Sequence, residues 1–427
     1  MKSFPATETA SISPKAPKLA SSVYDVFRHG HVEGTTPINL TIGNPHLKPP
    51  ASYYQALDEV VRDLKDSPTN GHGYTTKDDP YGLCQALASD LSARFGGDFQ
   101  KSDILLTVGA TGALDIIFKT LIRPAIDPVH PTRAAKPLDE VIVIAPYFVE
   151  YLNLIHGNGG LPVVVPSDAE FGMDPEAIGR AITARTRAIL VNSPNNPTGR
   201  IYPTEALYRL SEVLEEKSRE IGHRIVVVED SVYDAVVFTP RPAPSMIPHY
   251  PTLIRVNSYS KSLSLAGERL GYLAVHPGFA PTEERKELVG ALNLNMRIRV
   301  VQAPLMQHRI VAKMPLHGHV DIEAYHRNVE RLHLTLSSLG YRVHRPEGTF
   351  YLWAVLPESF ENELEFRELA FDSTSPLLYL PGTLFGGDAY DRCVRFSACG
   401  PFAEIERACH RLLEISDIRN SSIGPLE

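Results

Sequence analysis

Lys261 stands in a run of hydroxyl residues, Ser258-Tyr259-Ser260-Lys261-Ser262, just after the apolar stretch Leu253–Val256, and Arg269 follows within Gly267-Glu268-Arg269-Leu270-Gly271. An amine so placed suits imine chemistry, and serines beside an arginine suit an anion. Upstream, the apolar run Ile225–Val228 leads into Glu229-Asp230, with Tyr233 three residues on. Carboxylates at the end of a buried strand are costly unless paired, so either one caps the following turn or one faces a cationic ligand. The cluster Asn192-Ser193-Pro194-Asn195-Asn196-Pro197-Thr198-Gly199 is rigid enough to fix the Asn196 amide as a donor. Gly109-Ala110-Thr111-Gly112 follows Ile104–Val108 and opens a helix, where exposed N–H groups and the macrodipole attract an anion. Each feature alone also has an ordinary reading: surface charge, turn cap, rigid connector or steric punctuation.

In chain order these residues form an anion-binding turn, an Asn, an Asp with a nearby Tyr, a Ser-x-Ser-Lys and an Arg. Pyridoxal 5′-phosphate asks for that set: a lysine for a Schiff base, an acid for the pyridinium nitrogen, donors for the phenolic oxygen and a phosphate cup.

Positioning such residues requires a scaffold. Between about residues 103 and 277, short apolar runs at 104–107, 141–144, 163–165, 188–191, 224–228, 253–256 and 270–273 alternate with helical patterns. Strands apolar on both faces belong in a covered, mostly parallel sheet, so an open α/β domain is expected. Thr204 is placed to cap a helix with Leu207, Leu210 and Leu214 on one face, stopped by Gly222. Beyond about residue 300, a longer polar helix over 321–339 and strands near 350–353 and 394–397 indicate a smaller α+β domain. The expected division is 1–45 as an N-terminal arm and part of the small domain, 46–300 as the large cofactor-binding domain and 301–427 as the small C-terminal domain. In open α/β sheets ligands lie beyond the carboxyl ends of the strands, which is where these polar residues fall.

The chain has 427 residues, 43% of them hydrophobic, and a formal net charge of −8. Such mild acidity gives no reason to expect nucleic acid or an anionic membrane as partner. Cys84, Cys393, Cys399 and Cys409 contain no C-x-x-C pair, so neither a disulfide framework nor a metal site is expected. There is no long uncharged apolar run, no apolar leader near the start and no repeat, and a cytoplasmic enzyme or binding protein remains.

The sequence resembles the fold-type I, class I/II pyridoxal-phosphate aminotransferases, especially bacterial aspartate-aminotransferase-like proteins. The resemblance runs from Leu40-Thr41-Ile42-Gly43-Asn44-Pro45 to Arg395 and is carried most strongly by Ser193–Gly199 and Ser258–Gly271. It implies a large domain with a mostly parallel sheet covered by helices, plus a smaller α+β domain. It makes Lys261 the Schiff-base lysine and later the acid/base of proton transfer, Asp230 the pyridinium partner, and Tyr233 and Asn196 donors to the phenolic oxygen. Phe148 takes the position of the stacking ring, and Gly109, Ala110, Thr111, Ser258, Ser260 and Arg269 surround the phosphate. Tyr74 matches a tyrosine that reaches a phosphate across a homodimer with shared active sites. Arg395 would take the substrate α-carboxylate as a bidentate pair, with Gly43 and Asn196 nearby.

Two segments depart from the relatives. Ser231-Val232-Tyr233-Asp234-Ala235 replaces their usual Glu-Pro-Tyr followed by a basic residue, and Arg297 and Arg299 stand where they have small or hydroxyl residues, while Gln302 is kept. Aspartate specificity is therefore open: either arginine can face an acidic side chain or serve the surface or an interface. The expected function is transfer of the amino group of an L-α-amino acid to a 2-oxo acid. The alternative is a non-transaminating enzyme of the same fold, performing elimination, replacement or cyclisation, for example on S-adenosylmethionine. A cofactor-sensing transcription factor would need a DNA-binding module ahead of this region, and the residues before about 45 show no basic helix.

Overall fold

The computed structural model describes residues 34–75, 79–124, 136–372 and 374–423. Among the described residues two compact units emerge: Pro45–Glu323 with Glu347–Thr349, and a smaller one from residues 34–44, Ala324–Pro346 and 350–423.

The larger unit is built on seven strands, β1 (Ile104–Val108), β2 (Glu140–Ala145), β3 (Leu161–Pro166), β4 (Thr186–Asn192), β5 (Val226–Asp230), β6 (Leu253–Ser258) and β7 (Leu270–Val275). Their order is β1-β7-β6-β5-β4-β2-β3. Pairing is parallel from β6 to β3, and β7 runs antiparallel to both β6 and β1. Every residue of β2, β5, β6 and β7 is buried, the double coverage anticipated from unbroken apolar runs. The helices are α1 (Ala51–Asp66), α2 (Leu83–Phe95), α3 (Gly109–Leu121), α4 (Tyr151–Gly157), α5 (Pro175–Ala181), α6 (Thr204–Ile221), the single turn α7 (Tyr259–Ser262), α8 (Thr282–Val300) and α9 (Leu305–Lys313).

Helix α6 shows how pattern becomes packing. Leu207, Leu210 and Leu214 enter one core with Ile142, Ile189 and Val227 of the sheet. Gly222 ends the helix at φ 77°, a backbone state that glycine adopts without steric penalty. Thr204 is the first helical residue, not the cap. Pro203 holds the capping position with no side-chain bond, its fixed φ already suiting helix entry.

The division also differs from the sequence expectation over 301–323, which belongs to the larger unit. Ile310 and Val311 of α9 share its core with Tyr53, Ala56 and Val60 of α1, so the apolar face of α9 is spent there.

In the smaller unit, Tyr351–Val355 pairs antiparallel with Cys393–Ser397, placing Trp353 opposite Arg395. Helices Ile322–Ser338, Glu363–Phe371 and Phe402–Ile423 surround these strands, and Ile38–Asn39 pairs parallel with Leu377–Leu378. Residues 1–33, most of the expected arm, lie outside the described residues. Among the described residues no helix is long and apolar enough to cross a membrane.

Candidate active site

Four strands of the larger sheet end in site residues. Strand β5 ends at Asp230, paired in register with Asn192 at the end of β4. Asn192 donates to the Asp230 carbonyl at 3.0 Å and accepts from the Asn196 N–H at 2.8 Å, so one buried amide ties the Pro-rich turn to the acid-bearing strand. Asn195 holds the rest of that turn by accepting from the N–H and hydroxyl of Thr198. Asn196 is thereby buried and fixed.

Asp230 is 4% exposed. Burial holds its carboxyl above the usual range; a hydrogen bond from Tyr151, another from the Val232 N–H and the Arg255 charge pull the other way. A cation beside this carboxylate would relieve the cost of its burial. The Tyr151 hydroxyl donates to Asp230 Oδ2 at 2.6 Å. Burial, then the Asp230 charge, raises Tyr151 well above its ordinary value, so it remains a donor. Sequence reasoning missed Tyr151, and its only hint was its place three residues after Phe148, whose half-buried ring meets the Tyr151 ring edge-on with centroids 5.5 Å apart.

Glu229 takes neither option named for the pair: among the described residues it caps no following turn and is held by protein partners alone. It accepts from the Met246 N–H at 2.7 Å and the Ser245 hydroxyl at 3.0 Å, and pairs with Arg255. Its carboxylate is thus already committed.

Lys261 lies on α7, the turn that follows β6, with Nζ 5.9 Å from the centre of the Tyr233 ring. The Ser258 hydroxyl caps that turn by accepting from the Ser260 N–H and donates to the Ser260 hydroxyl at 2.7 Å. Arg269 sits just before β7 in the left-handed backbone region, φ 59°. Its guanidinium lies over Gly109, the first residue of α3, where an added Cβ would stand 2.7 Å from Nη2. Gly271 allows an equally close approach, because a Cβ there would meet the Gly109 carbonyl carbon and the Ala110 nitrogen. The ends of β1 and β6 and the start of β7 thus bring together Gly109, Ser258 and Arg269, residues expected from the sequence to surround an anion. Thr111 is exposed at the start of α3.

Arg395, in the smaller unit, is 3% exposed. Its guanidinium lies between the rings of Tyr351, at 4.2 Å, and Phe385, at 4.9 Å, and donates to the Thr41 carbonyl. Gly43 belongs to the same unit, and a side chain there would collide with the Tyr351 hydroxyl.

Three candidates stand apart. Tyr74 is 81% exposed and joins none of these clusters. Arg299 pairs with Asp115 at 2.7 Å and donates to Asn158, so a structural partner occupies it. Arg297 is exposed, and among the described residues its side chain bonds Asn293 of its own helix at 3.4 Å. Gln302 accepts from the Thr75 N–H.

Residues 35–412 match the family described as aminotransferase class I and II. The chain belongs to this family. It is 26% identical over 426 residues to a probable aspartate/prephenate aminotransferase of Thermus aquaticus, covering 97% of each chain. It is also 26% identical to a probable aspartate aminotransferase of Methanocaldococcus jannaschii, covering 88% of this chain and 93% of that one. Among solved structures, an aminotransferase from Eubacterium rectale superposes with a TM-score of 0.83 at 28% identity, covering 98% of this chain and all of that one. The aminotransferase class uses pyridoxal phosphate, and this chain is accordingly a pyridoxal-phosphate-dependent transferase of amino groups. The larger unit fits that cofactor on its own geometry: lacking a Cβ, Gly109 lets the Arg269 guanidinium settle against the first turn of α3, where an anion would meet both, and Asp230 is a buried acid lacking a cationic partner within hydrogen-bond distance among the described residues.

Proposed function

We propose that the Lys261, Asp230, Tyr233 and Arg269 constellation is the catalytic centre, transferring the α-amino group of an L-amino acid to a 2-oxo acid. The observation that supports this reading most directly is the supply of a lysine, a buried acid and an anion cup by neighbouring ends of one sheet. When bound, the cofactor supplies an electron sink for the substrate's Cα electrons. Asp230 would hold a proton at the ring nitrogen, its carboxylate braced by the Tyr151 hydroxyl on one oxygen and, at 3.4 Å, by the Val232 N–H on the other. Tyr233 and Asn196 would donate to the phenolic oxygen, and Phe148 would pack on the ring. Gly109, Ala110, Thr111, Ser258, Ser260 and Arg269 would hold the phosphate. Lys261 would be the amine that holds the cofactor and, once released, the base and acid that takes a proton from the substrate Cα and returns it.

Arg395 is read as the clamp for the substrate α-carboxylate, with Gly43 beside it. Two aromatic faces orient the guanidinium plane, so the fork offered to a carboxylate is preset. The substrate class to test first is acidic amino acids, since two of the relatives are named as a probable aspartate/prephenate and a probable aspartate aminotransferase; Arg297, exposed and bonded among the described residues at 3.4 Å within its own helix, is the cation to examine for a side-chain carboxylate. In an assay of amino acids against 2-oxo acids, aspartate with 2-oxoglutarate is expected to yield the exchanged pair, with no side-chain fragment released. Fragment release would favour the elimination or cyclisation reading. In the same assay Arg395→Lys, which keeps the charge and loses the fork, should lower kcat/KM by about 10²-fold while the cofactor's absorption stays as in the parent. A destabilised variant with parent kinetics per folded site would refute the clamp.

A homodimer with shared sites belongs to the same reading. Leu294 and Ile298, one turn apart on α8, are exposed together with Val301 and Tyr74. An apolar row of this kind fits a second copy of the chain, in which Tyr74 would serve the neighbour's phosphate. Sedimentation at micromolar concentration should give a dimer, and a fully loaded, active monomer would refute it. The four cysteines are buried and none forms a disulfide, which supports a reducing compartment such as the cytoplasm.

A further inference from the structure

Asp234, the acid one residue beyond Tyr233, is explained by the reverse face of the sheet. Arg255 on β6 stands opposite Glu229 of β5 in the parallel register. Side chains alternate along a strand, so these two share the face turned away from Asp230. Arg255 is 2% exposed and divides its fork, Nη1 pairing with Glu229 at 2.5 Å and Nη2 with Asp234 at 2.7 Å. The Phe95 ring covers its guanidinium at 5.0 Å.

Burial works against the Arg255 charge, but Glu229 and Asp234 hold the group above its ordinary value. From Asp234 the ion pairs continue outward, to Arg94 at 3.6 Å, from Arg94 to Asp90 at 3.5 Å, and from Asp90 to the exposed His317 at 2.9 Å. The groups facing Asp234 are therefore Arg255 and Arg94, backed by Glu229, Asp90 and His317, with the Tyr259 and Tyr272 hydroxyls close enough to feel its charge.

This anchor grips a short turn. The Asp234 N–H donates to the Ser231 carbonyl at 3.0 Å and the Val236 N–H to the Tyr233 carbonyl at 2.8 Å. The Ser231 N–H and hydroxyl both donate to the Val256 carbonyl at 2.9 Å, one residue beyond Arg255 on β6. Backbone bonds thus set the path of the turn, and the Asp234–Arg255 pair adds a side-chain tie from the sheet to its far end.

We propose that Asp234 is a positioning residue: clamped by Arg255 from behind the sheet, it fixes the turn from which Tyr233 reaches the cofactor's phenolic oxygen. This rests on the assignment of Tyr233 above. A phenol donor at that oxygen favours its anionic form, so a displaced Tyr233 raises the pH at which the cofactor chromophore loses its proton.

The test compares the loaded parent with Asp234→Asn, Asp234→Glu, Tyr233→Phe and the Asp234→Asn/Tyr233→Phe double variant. The readouts are the pH midpoint of the visible band, kcat and KM separately, and melting temperature. Asp234→Asn is expected to move the midpoint to higher pH and lower kcat about tenfold with KM little changed. Tyr233→Phe should move the midpoint the same way, the double variant no further than the larger single shift, and Asp234→Glu should return it toward the parent. Asp234→Asn with a parent midpoint and parent kcat per loaded site, whatever its melting temperature, overturns the clamp, as does an additive double variant. Tyr233→Phe at the parent midpoint overturns the Tyr233 assignment beneath it, and the two failures are thereby told apart.

Discussion

Lys261→Ala is expected to bind pyridoxal phosphate and yet turn over about 10⁴-fold more slowly than the parent protein. Retention is a property of the cup, because Arg269, the Ser258–Ser260 pair and the opening of α3 do not depend on the lysine for their arrangement. Turnover is lost because the only lysine on the turn after β6 is gone, and with it the group that moves the proton. Borohydride treatment of the loaded parent should fix the cofactor on Lys261 as a secondary amine, and peptide mapping reads the position. An adduct on another lysine would overturn the site assignment as a whole.

The second large effect concerns Asp230. Replacing it with alanine should lower the single-turnover rate by about 10²- to 10³-fold, the scale seen when one preorganised electrostatic contact is lost in a water-excluded site. Cofactor affinity, measured by titration of the ligand-free protein, should fall far less, because the phosphate contacts remain. The neighbouring acid offers no substitute: Glu229 is held by Arg255, Ser245 and the Met246 N–H. A variant turning over at the parent rate would mean that another acid partners the ring nitrogen.

The residues legible in the sequence were those whose meaning depends on local context. Unbroken apolar runs announced a doubly covered sheet, and Lys261, Asp230 and Arg269 could be placed because each lies directly before or after such a run. What escaped were pairings over long sequence separation. Tyr151 and Asp230 are 79 residues apart, and nothing near Tyr151 in the chain marks it as a donor to an acid. The bond from Asn192 to the Asp230 carbonyl exists only because β4 and β5 are neighbours in the sheet. Arg299 looked like a candidate for an acidic substrate until α8 brought it to Asp115. The stretch 301–323 was given to the smaller unit because its helical texture resembles that of the polar helix Ile322–Ser338, whereas its apolar face is complementary to α1.

Within Val226–Asp230, exchanging a residue and losing one are different kinds of injury. Glu229 and Asp230 are adjacent in the chain, yet the pleat sends them to opposite faces, one toward Arg255 and the other toward Tyr151. A point change at Val227 or Val228 alters packing but leaves both acids aimed as before. A one-residue deletion keeps both acids and every motif recognisable in the sequence, while turning each carboxylate to the face where the other belongs. Drift at the valines of this strand is therefore tolerable in identity and intolerable in length, and a homologue one residue shorter here would lack the same acid pairing even with Lys261 and Arg269 in place.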